Sequence, residues 1–184
     1  GPAVVDSLVS LANSRGGRDN ITVMLVRAQS DTEITAPLSD PAHLDALRRC
    51  ELFATCTTRE LERVASACRI REFPAGATIF KEGDPGWECF ILEKGTVEIL
   101  KGFRRLAILE VGDHFGAMSL IESPARSATA KTLSETSVLV LSQREFNELL
   151  RRDAPLATRV MLRLSADLAR MLRATTKMAT DQED

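Results

Sequence analysis

The chain has 184 residues, which suits one domain with appendages, and 44% of them are hydrophobic, enough for a substantial core. A net charge of −2 excludes the overall basic footprint of a nucleic-acid-binding protein. No run of about 18 apolar residues and no signal peptide is visible, so we expect no membrane partner and a cytoplasmic location. The four cysteines form no C-x-x-C pair and are expected to pack as small apolar groups, not to bind zinc: Cys50, Cys56, Cys68 and Cys89.

Residues 1–28 form the first predicted segment. Apolar residues at helical spacing precede a turn and then a nearly continuous apolar strand, Ile21 to Val26. One interpretation is an N-terminal helix and strand of the same domain. Gly1-Pro2 is typical of a protease-cleavage scar, which favours a chain that begins inside a larger protein.

The sequence from Gly17 to Val23, Gly-Arg-Asp-Asn-Ile-Thr-Val, resembles the last motif of metal-dependent PP2C-type protein phosphatases. The resemblance implies that Asp19 would be one of several metal-coordinating carboxylates in an intact phosphatase. One carboxylate cannot hold a dinuclear metal centre. We therefore expect no metal site and no catalysis in this chain, and interpret residues 1–28 as the end of a phosphatase domain fused to a second domain.

Residues 29–39 are polar and lack periodicity, which predicts a linker. Asp40-Pro41 provides an N-cap and a first-turn proline for a helix through Arg49. Thr57 and Glu60 have the spacing of a capping box and open a second helix. A further pair at this spacing, Ser142 and Glu145, opens a helix after the central region.

From Arg69 to Ser142 the hydrophobic pattern has period two, with a turn signal between successive runs. Several short strands at such spacing favour a sandwich or barrel. Trp87 is expected at the core or rim of this structure, with stacking on a base as the alternative. The predicted strands are Arg69–Phe73, Ala77–Phe80, Glu88–Glu93, Thr96–Leu100, Arg105–Leu109, Ser127–Thr132 and Ser137–Leu141.

Residues 112–130 predict a turn, a short helix from Ala117 to Ile121, a second turn, and a strand opened by Arg126. The N-terminus of a helix offers backbone N–H groups and a positive dipole end, and an arginine beside it would complete a site for one phosphate. The alternative is a solvated arginine at the edge of a strand.

The same stretch resembles the phosphate-binding cassette of cyclic-nucleotide-binding domains, the family of kinase regulatory subunits, gated channels and catabolite-activator-type factors. The match runs without a gap from Phe115-Gly116 to Arg126-Ser127-Ala128. It implies an eight-stranded jelly-roll β-barrel and a cAMP or cGMP ligand. The family places a glutamate for the ribose hydroxyl where this chain has Ala117. The implied ligand-binding residues of this stretch are Phe115, Gly116, Ala117, Met118, Ser119, Arg126, Ser127 and Ala128.

The last helix is predicted from Asp153 to about Met178. A heptad seam runs from Ala157 through Met161, Leu164 and Leu168 to Met178. Its wide apolar face favours a homodimer, although the same face could lie only on its own barrel. This segment resembles the dimerising helix of catabolite-activator-type proteins, which implies that Thr175 and Thr176 reach the base. No helix-turn-helix comes after it, so operator binding is not expected.

These patterns together predict a mainly β fold with flanking helices: N-terminal helices, a jelly-roll barrel and a long C-terminal helix within residues 40–184. The expected function is a signal-transduction module that binds a cyclic nucleotide, cAMP ahead of cGMP, and controls the fused phosphatase. The alternative is a structural dimerisation domain of the same fold that binds no cyclic nucleotide. No nucleophile–base constellation appears, so we expect no enzyme in this chain.

Overall fold

The computed structural model describes residues 33–34, 41–122 and 125–180, with the side chains of 33, 34, 171, 172 and 174–180 outside the description. The predictions for residues 1–28, including Asp19, fall outside the described residues. The chain divides into two units between Ser30 and Asp31. Within the described part, no helix is both long enough and apolar enough to cross a membrane.

Two short helices precede the sheets. Helix α1 spans Pro41–Arg49 and α2 spans Thr58–Ala67, with a 3₁₀-helix at Glu51–Phe53 between them. The predicted capping box is confirmed, because the Thr57 hydroxyl accepts from the Glu60 N–H while the Glu60 carboxylate accepts from the Thr57 N–H. These reciprocal bonds satisfy backbone donors that would otherwise be unpaired at the start of α2.

Two antiparallel sheets form the jelly roll. The strands are β1 Glu33–Ile34, β2 Arg69–Phe73, β3 Thr78–Phe80, β4 Glu88–Lys94, β5 Val97–Lys101, β6 Arg104–Leu109, β7 His114–Phe115, β8 Thr129–Thr132 and β9 Thr136–Ser142. One sheet has the order β1-β2-β9-β4-β7 and the other β3-β8-β5-β6. Strands β2 to β9 account for the predicted eight strands, so the mainly β jelly roll with flanking helices is confirmed.

Three local predictions differ from the structure. The strand expected from Ser127 begins at Thr129, because the backbone of Arg126 is bonded to the turn at residues 83–86 and not to a neighbouring strand. The predicted turn at His114–Phe115 is a short strand paired with β4. The predicted linker contains β1, which pairs with β2. Two-residue strands carry too little alternation to be detected as a period.

Strands β4 and β9 are buried on both faces, which divides the core into two apolar clusters. On one face, Cys89, Ile91, Leu139 and Leu141 pack with the helices, and this group is called the helical cluster. On the other face, Phe90, Leu92, Val138 and Val140 fill the roll with Phe115, and this group is called the barrel cluster. Burial on both faces explains why these two strands are continuous apolar runs and do not alternate.

The chain ends in two helices, α3 from Gln143–Arg152 and α4 from Ala154–Thr180. The Ser142 hydroxyl caps α3, and the Asp153 carboxylate accepts the N–H of Leu156 in the first turn of α4, as predicted. The structure divides the predicted heptad seam of α4. Leu164 is fully buried against its own domain, whereas Met161 of the seam is exposed, as is the adjacent Leu162 outside it.

Candidate functional site

Arg126 is a buried cation with unused hydrogen-bonding capacity. The residue is only 7% exposed. Its Nη1 donates to the carbonyl oxygen of Glu88 at 2.8 Å and to Oγ of Ser119 at 3.0 Å. Its Nε is buried and has no hydrogen-bond partner among the described residues. Burial lowers the pKa of this guanidinium, and the nearby negative charges of Glu88 and Asp84 oppose that effect. A buried cation with an unpaired donor is stabilised by an anion.

The guanidinium of Arg126 lies over the faces of aromatic rings. Its Cζ lies 4.2 Å from the ring centroid of Phe80 and 5.5 Å from that of Phe90. Phe115 stacks on Phe90 with 5.1 Å between centroids, so its ring belongs to the barrel cluster. A cation over an aromatic face gains electrostatic attraction without being neutralised. The positive charge of Arg126 therefore remains available to a ligand.

Two glycines make room for the arginine. A Cβ on Gly86 would lie 2.1 Å from Nε of Arg126, and one on Gly116 would lie 2.5 Å from its Nη1. Gly116 also has φ +74°, a left-handed conformation that L side chains rarely adopt. Any larger residue at either position would displace the guanidinium.

The turn at residues 83–86 fixes the backbone of Arg126. The Arg126 N–H donates to the carbonyl of Asp84 at 2.8 Å, and the Gly83 N–H donates to the carbonyl of Arg126 at 2.9 Å. Pro85 and Ala125 form an isolated antiparallel bridge beside these bonds. The sequence Gly83-Asp84-Pro85-Gly86 indicated a turn, but sequence reasoning did not associate that turn, or Phe80 and Glu88, with the site.

The short helix after Gly116 contributes a hydroxyl to the site. It is a 3₁₀-helix, Ala117–Leu120, in which the Ser119 N–H donates to the carbonyl of Gly116 at 3.1 Å. That amide is therefore engaged within the turn, while the buried Ser119 hydroxyl accepts from Arg126. Met118 is 44% exposed, whereas Ala117 is buried within the helical cluster.

The remaining predicted residues are distributed around this centre. Ser127 is exposed and Ala128 is buried, directly after the arginine. Trp87 is 53% exposed, which excludes a core position. Thr175 and Thr176 belong to α4, but their side chains are not described. Ser123 and Pro124 of the cassette also fall outside the described residues.

The chemistry of the described residues suits binding. Burial raises the pKa of the Cys68 thiol to about 12 and that of Cys56 to about 11, so neither is a thiolate nucleophile at neutral pH. The two histidines each lie beside a carboxylate, His43 at Glu93 and His114 at Asp167. Neither is bonded to Arg126 or Ser119.

Comparison with known proteins agrees with this geometry. Residues 70–153 match the family model described as the cyclic nucleotide-binding domain. The chain is 35% identical over 127 residues to a protein named cyclic AMP receptor protein from Thermus thermophilus, covering 66% of this chain and 57% of that protein. It is 30% identical over 115 residues to a cAMP-dependent protein kinase regulatory subunit from Pyricularia oryzae, covering 61% of this chain and 30% of that protein.

Solved structures show the same fold. The catabolite activator protein of Thermus thermophilus superposes with a TM-score of 0.65 at 32% identity, covering 72% of this chain and 63% of that chain. The N-terminal domain of a transcriptional regulator from Streptomyces coelicolor has a TM-score of 0.64 at 25% identity, covering 71% and 95% respectively. The curated relatives are longer than the part this chain matches, since it covers 30% of the kinase subunit and 57% of the receptor protein.

Proposed function

We propose that this chain, which carries a cyclic nucleotide-binding domain of the catabolite-activator and kinase regulatory-subunit type, is a regulatory module that binds a cyclic mononucleotide, cAMP ahead of cGMP. The observation that carries the proposal is Arg126, because it is a buried guanidinium with an Nε that lacks a partner among the described residues. A cyclic phosphate carries one negative charge and would supply acceptors for it. The preference for cAMP is supported by the names of the two relatives.

The proposed roles are those that the family resemblance implies for these residues. Arg126 pairs with the cyclic phosphate, and the exposed Ser127 hydroxyl donates to the phosphate or the base. Gly116 allows the ligand to approach the backbone closely. Thr175 and Thr176 contact the base from α4.

Calorimetric titration with cAMP, cGMP and a cyclic dinucleotide tests this function. We expect cAMP to bind more tightly than cGMP and the dinucleotide not to bind. Arg126→Ala should weaken cAMP binding by at least about 2 kcal/mol, because it removes a charge-assisted pair from a poorly hydrated site. Absence of binding heat with all three nucleotides would contradict the proposal.

A second candidate is a structural dimerisation domain of the same fold that binds no cyclic nucleotide. Ala117 favours it, because a carboxylate for the ribose hydroxyl is missing at that position. Loss of a hydrogen bond between a charged group and a hydroxyl removes about 1.5–3 kcal/mol, or roughly a tenfold to hundredfold in affinity. Such a loss weakens binding without abolishing it, and we therefore place nucleotide binding first.

The proposed assembly is a homodimer through α4. Met161 is 36% exposed and Leu162 is 67% exposed on this helix, and two such apolar side chains would be covered by a second copy. In the longer protein, nucleotide binding would control a fused PP2C-type phosphatase, to which Asp19 would contribute a metal ligand. Phosphatase assays on a chain that includes the complete phosphatase domain, with and without cAMP, test this control. Identical rates at saturating cAMP would exclude it.

A further inference from the structure

A buried ion pair joins the last helix to the strand that leads into the ligand site. His114, on β7, has its Nε2 3.1 Å from Oδ2 of Asp167, on α4. The two side chains are only 8% and 11% exposed. Strand β7 ends at Phe115, and the next residue is Gly116, where the guanidinium of Arg126 is in close contact. One ion pair therefore lies two residues from the proposed phosphate site.

The ion pair continues to a third element. The second carboxylate oxygen of Asp167 accepts from Nη2 of Arg170 at 3.1 Å, and Arg170 also pairs with Glu51 of the 3₁₀-helix Glu51–Phe53. Asp167 is thus held between two cations, His114 and Arg170. These contacts join α4 to β7 on one side and to the 3₁₀-helix on the other.

The charges facing His114 favour its protonated form. Burial alone would lower its pKa, but hydrogen bonds to Asp167 and to the Cys50 thiol raise the pKa to about 9. The hydrogen bond from His114 in turn holds the pKa of Asp167 below its usual range. Charged groups near the pair also include Arg170 on α4, Glu51, and Arg49, whose Cβ lies against Gly112. The pair is therefore ionic at neutral pH.

We propose that His114 is a positioning residue, through which the ion pair with Asp167 couples α4 to the ligand site. This inference rests on the proposed function, because it names how that site communicates with the rest of the chain. The connection runs from α4 through His114 and Phe115 to Gly116, and then to Ser119, whose hydroxyl accepts from Arg126. A displacement of α4 then displaces the residues that hold the guanidinium. Conversely, a ligand bound at Arg126 shifts the equilibrium between positions of α4, and the coupling free energy is the same in both directions.

The test compares two carboxamide substitutions, one in the middle of α4 and one at the residue that caps its start. Asp167→Asn removes the charge that faces His114. Asp153→Asn is the matched control, because Asp153 caps the start of α4 and pairs with Arg63 on α2, away from β7. Asparagine at 153 still accepts the N–H of Leu156 as an N-cap. Calorimetry with cAMP should give a Kd about fivefold or more higher for Asp167→Asn and within about twofold of wild type for Asp153→Asn.

The pH dependence separates coupling from a general loss of stability. The wild-type affinity should fall as the pH rises from about 8 to about 10, because His114 loses its proton through its pKa of about 9. The Asp167→Asn affinity should be flat over that interval, as should that of a second variant, His114→Gln. Equal slopes in wild type and both variants would overturn the proposal.

Amide hydrogen exchange without ligand gives a readout that does not depend on nucleotide binding. Exchange at residues 114–122 should rise in Asp167→Asn and stay at the wild-type rate in Asp153→Asn. Absence of cAMP binding in wild type would refute the proposed function, while the exchange comparison would still decide the coupling. Unchanged exchange at residues 114–122 in Asp167→Asn would overturn it.

Discussion

Replacement of Arg126 by leucine separates ligand binding from stability. Leucine keeps an apolar group over the ring of Phe80 but removes the charge, the two hydrogen bonds from Nη1 and the unpaired Nε. The phosphate would lose its charge-assisted partner. We expect cAMP binding to weaken by at least about 2 kcal/mol, roughly thirtyfold.

Two opposing effects determine the stability of the same variant. Hydrogen bonds from a charged donor contribute about 1.5–3 kcal/mol each, and Arg126→Leu removes one to Glu88 and one to Ser119. Against this, burial of a guanidinium without a counter-ion costs several kcal/mol, which leucine does not incur. The two effects are of similar size. We therefore expect the free energy of unfolding in urea to change by less than about 1.5 kcal/mol, in either direction.

The assay is calorimetry with cAMP alongside urea unfolding, with Arg71→Leu as the control. Arg71 forms a two-bond pair with the carboxylate of Glu88 at 2.8 and 3.0 Å, whereas Arg126 bonds to the carbonyl of the same residue. The control should alter stability and leave the cAMP affinity within about twofold. An Arg126→Leu variant that binds cAMP at the wild-type affinity would refute a ligand-binding role for this arginine.

Three further predictions concern specificity, assembly and acid stability. With Ala117 in place of a carboxylate, the Kd values of cAMP and 2′-deoxy-cAMP should agree within about threefold. Ala117→Glu should raise the ratio of these Kd values to about tenfold. A large ratio in wild type would contradict this prediction. The double variant Met161→Glu and Leu162→Glu should sediment as a monomer, and a wild-type chain that is monomeric at high concentration would exclude the dimer. Glu60→Gln should lower stability at pH 7 by about 1–3 kcal/mol. That difference should disappear as the pH falls toward about 2, because hydrogen bonds from Arg159 and Thr57 lower the pKa of Glu60 to about 2 and the stabilisation exists only while it is ionised.

The sequence predicted those features of the fold that repeat along the chain or that depend on residues close together in the sequence. The strands between Arg69 and Ser142 were found by their period of two, and the start of α2 by the reciprocal pair Thr57 and Glu60. The two-residue strands β1 and β7 were missed, because two residues are too few to show that period. The heptad seam of α4 gave the apolar positions but not which of them face the domain, since packing on the barrel and on a second copy requires the same residue types.

The sequence pointed to the arginine of the candidate site but not to the residues that surround its guanidinium in the structure. Arg126 and Gly116 were identified from a contiguous motif. Phe80, Gly86 and Glu88 contribute a ring, a space and a carbonyl oxygen, and none of these contributions depends on a distinctive side-chain chemistry. Such contacts are set by the register between strands, which periodicity does not specify.

The division of the core into a helical and a barrel cluster has a consequence for cooperative opening. The two clusters lie on opposite faces of β4 and β9, and the cassette contributes to both, with Phe115 in one and Ala117 and Leu120 in the other. The helical layer can therefore open as a unit while the barrel ladder stays paired, and such an opening would separate the two halves of the cassette. The opened form would not bind a ligand that contacts both halves. Such a ligand therefore raises the free energy of this partial opening by the full RT ln(1 + [L]/Kd). Saturation with nucleotide would then merge two unfolding units into one.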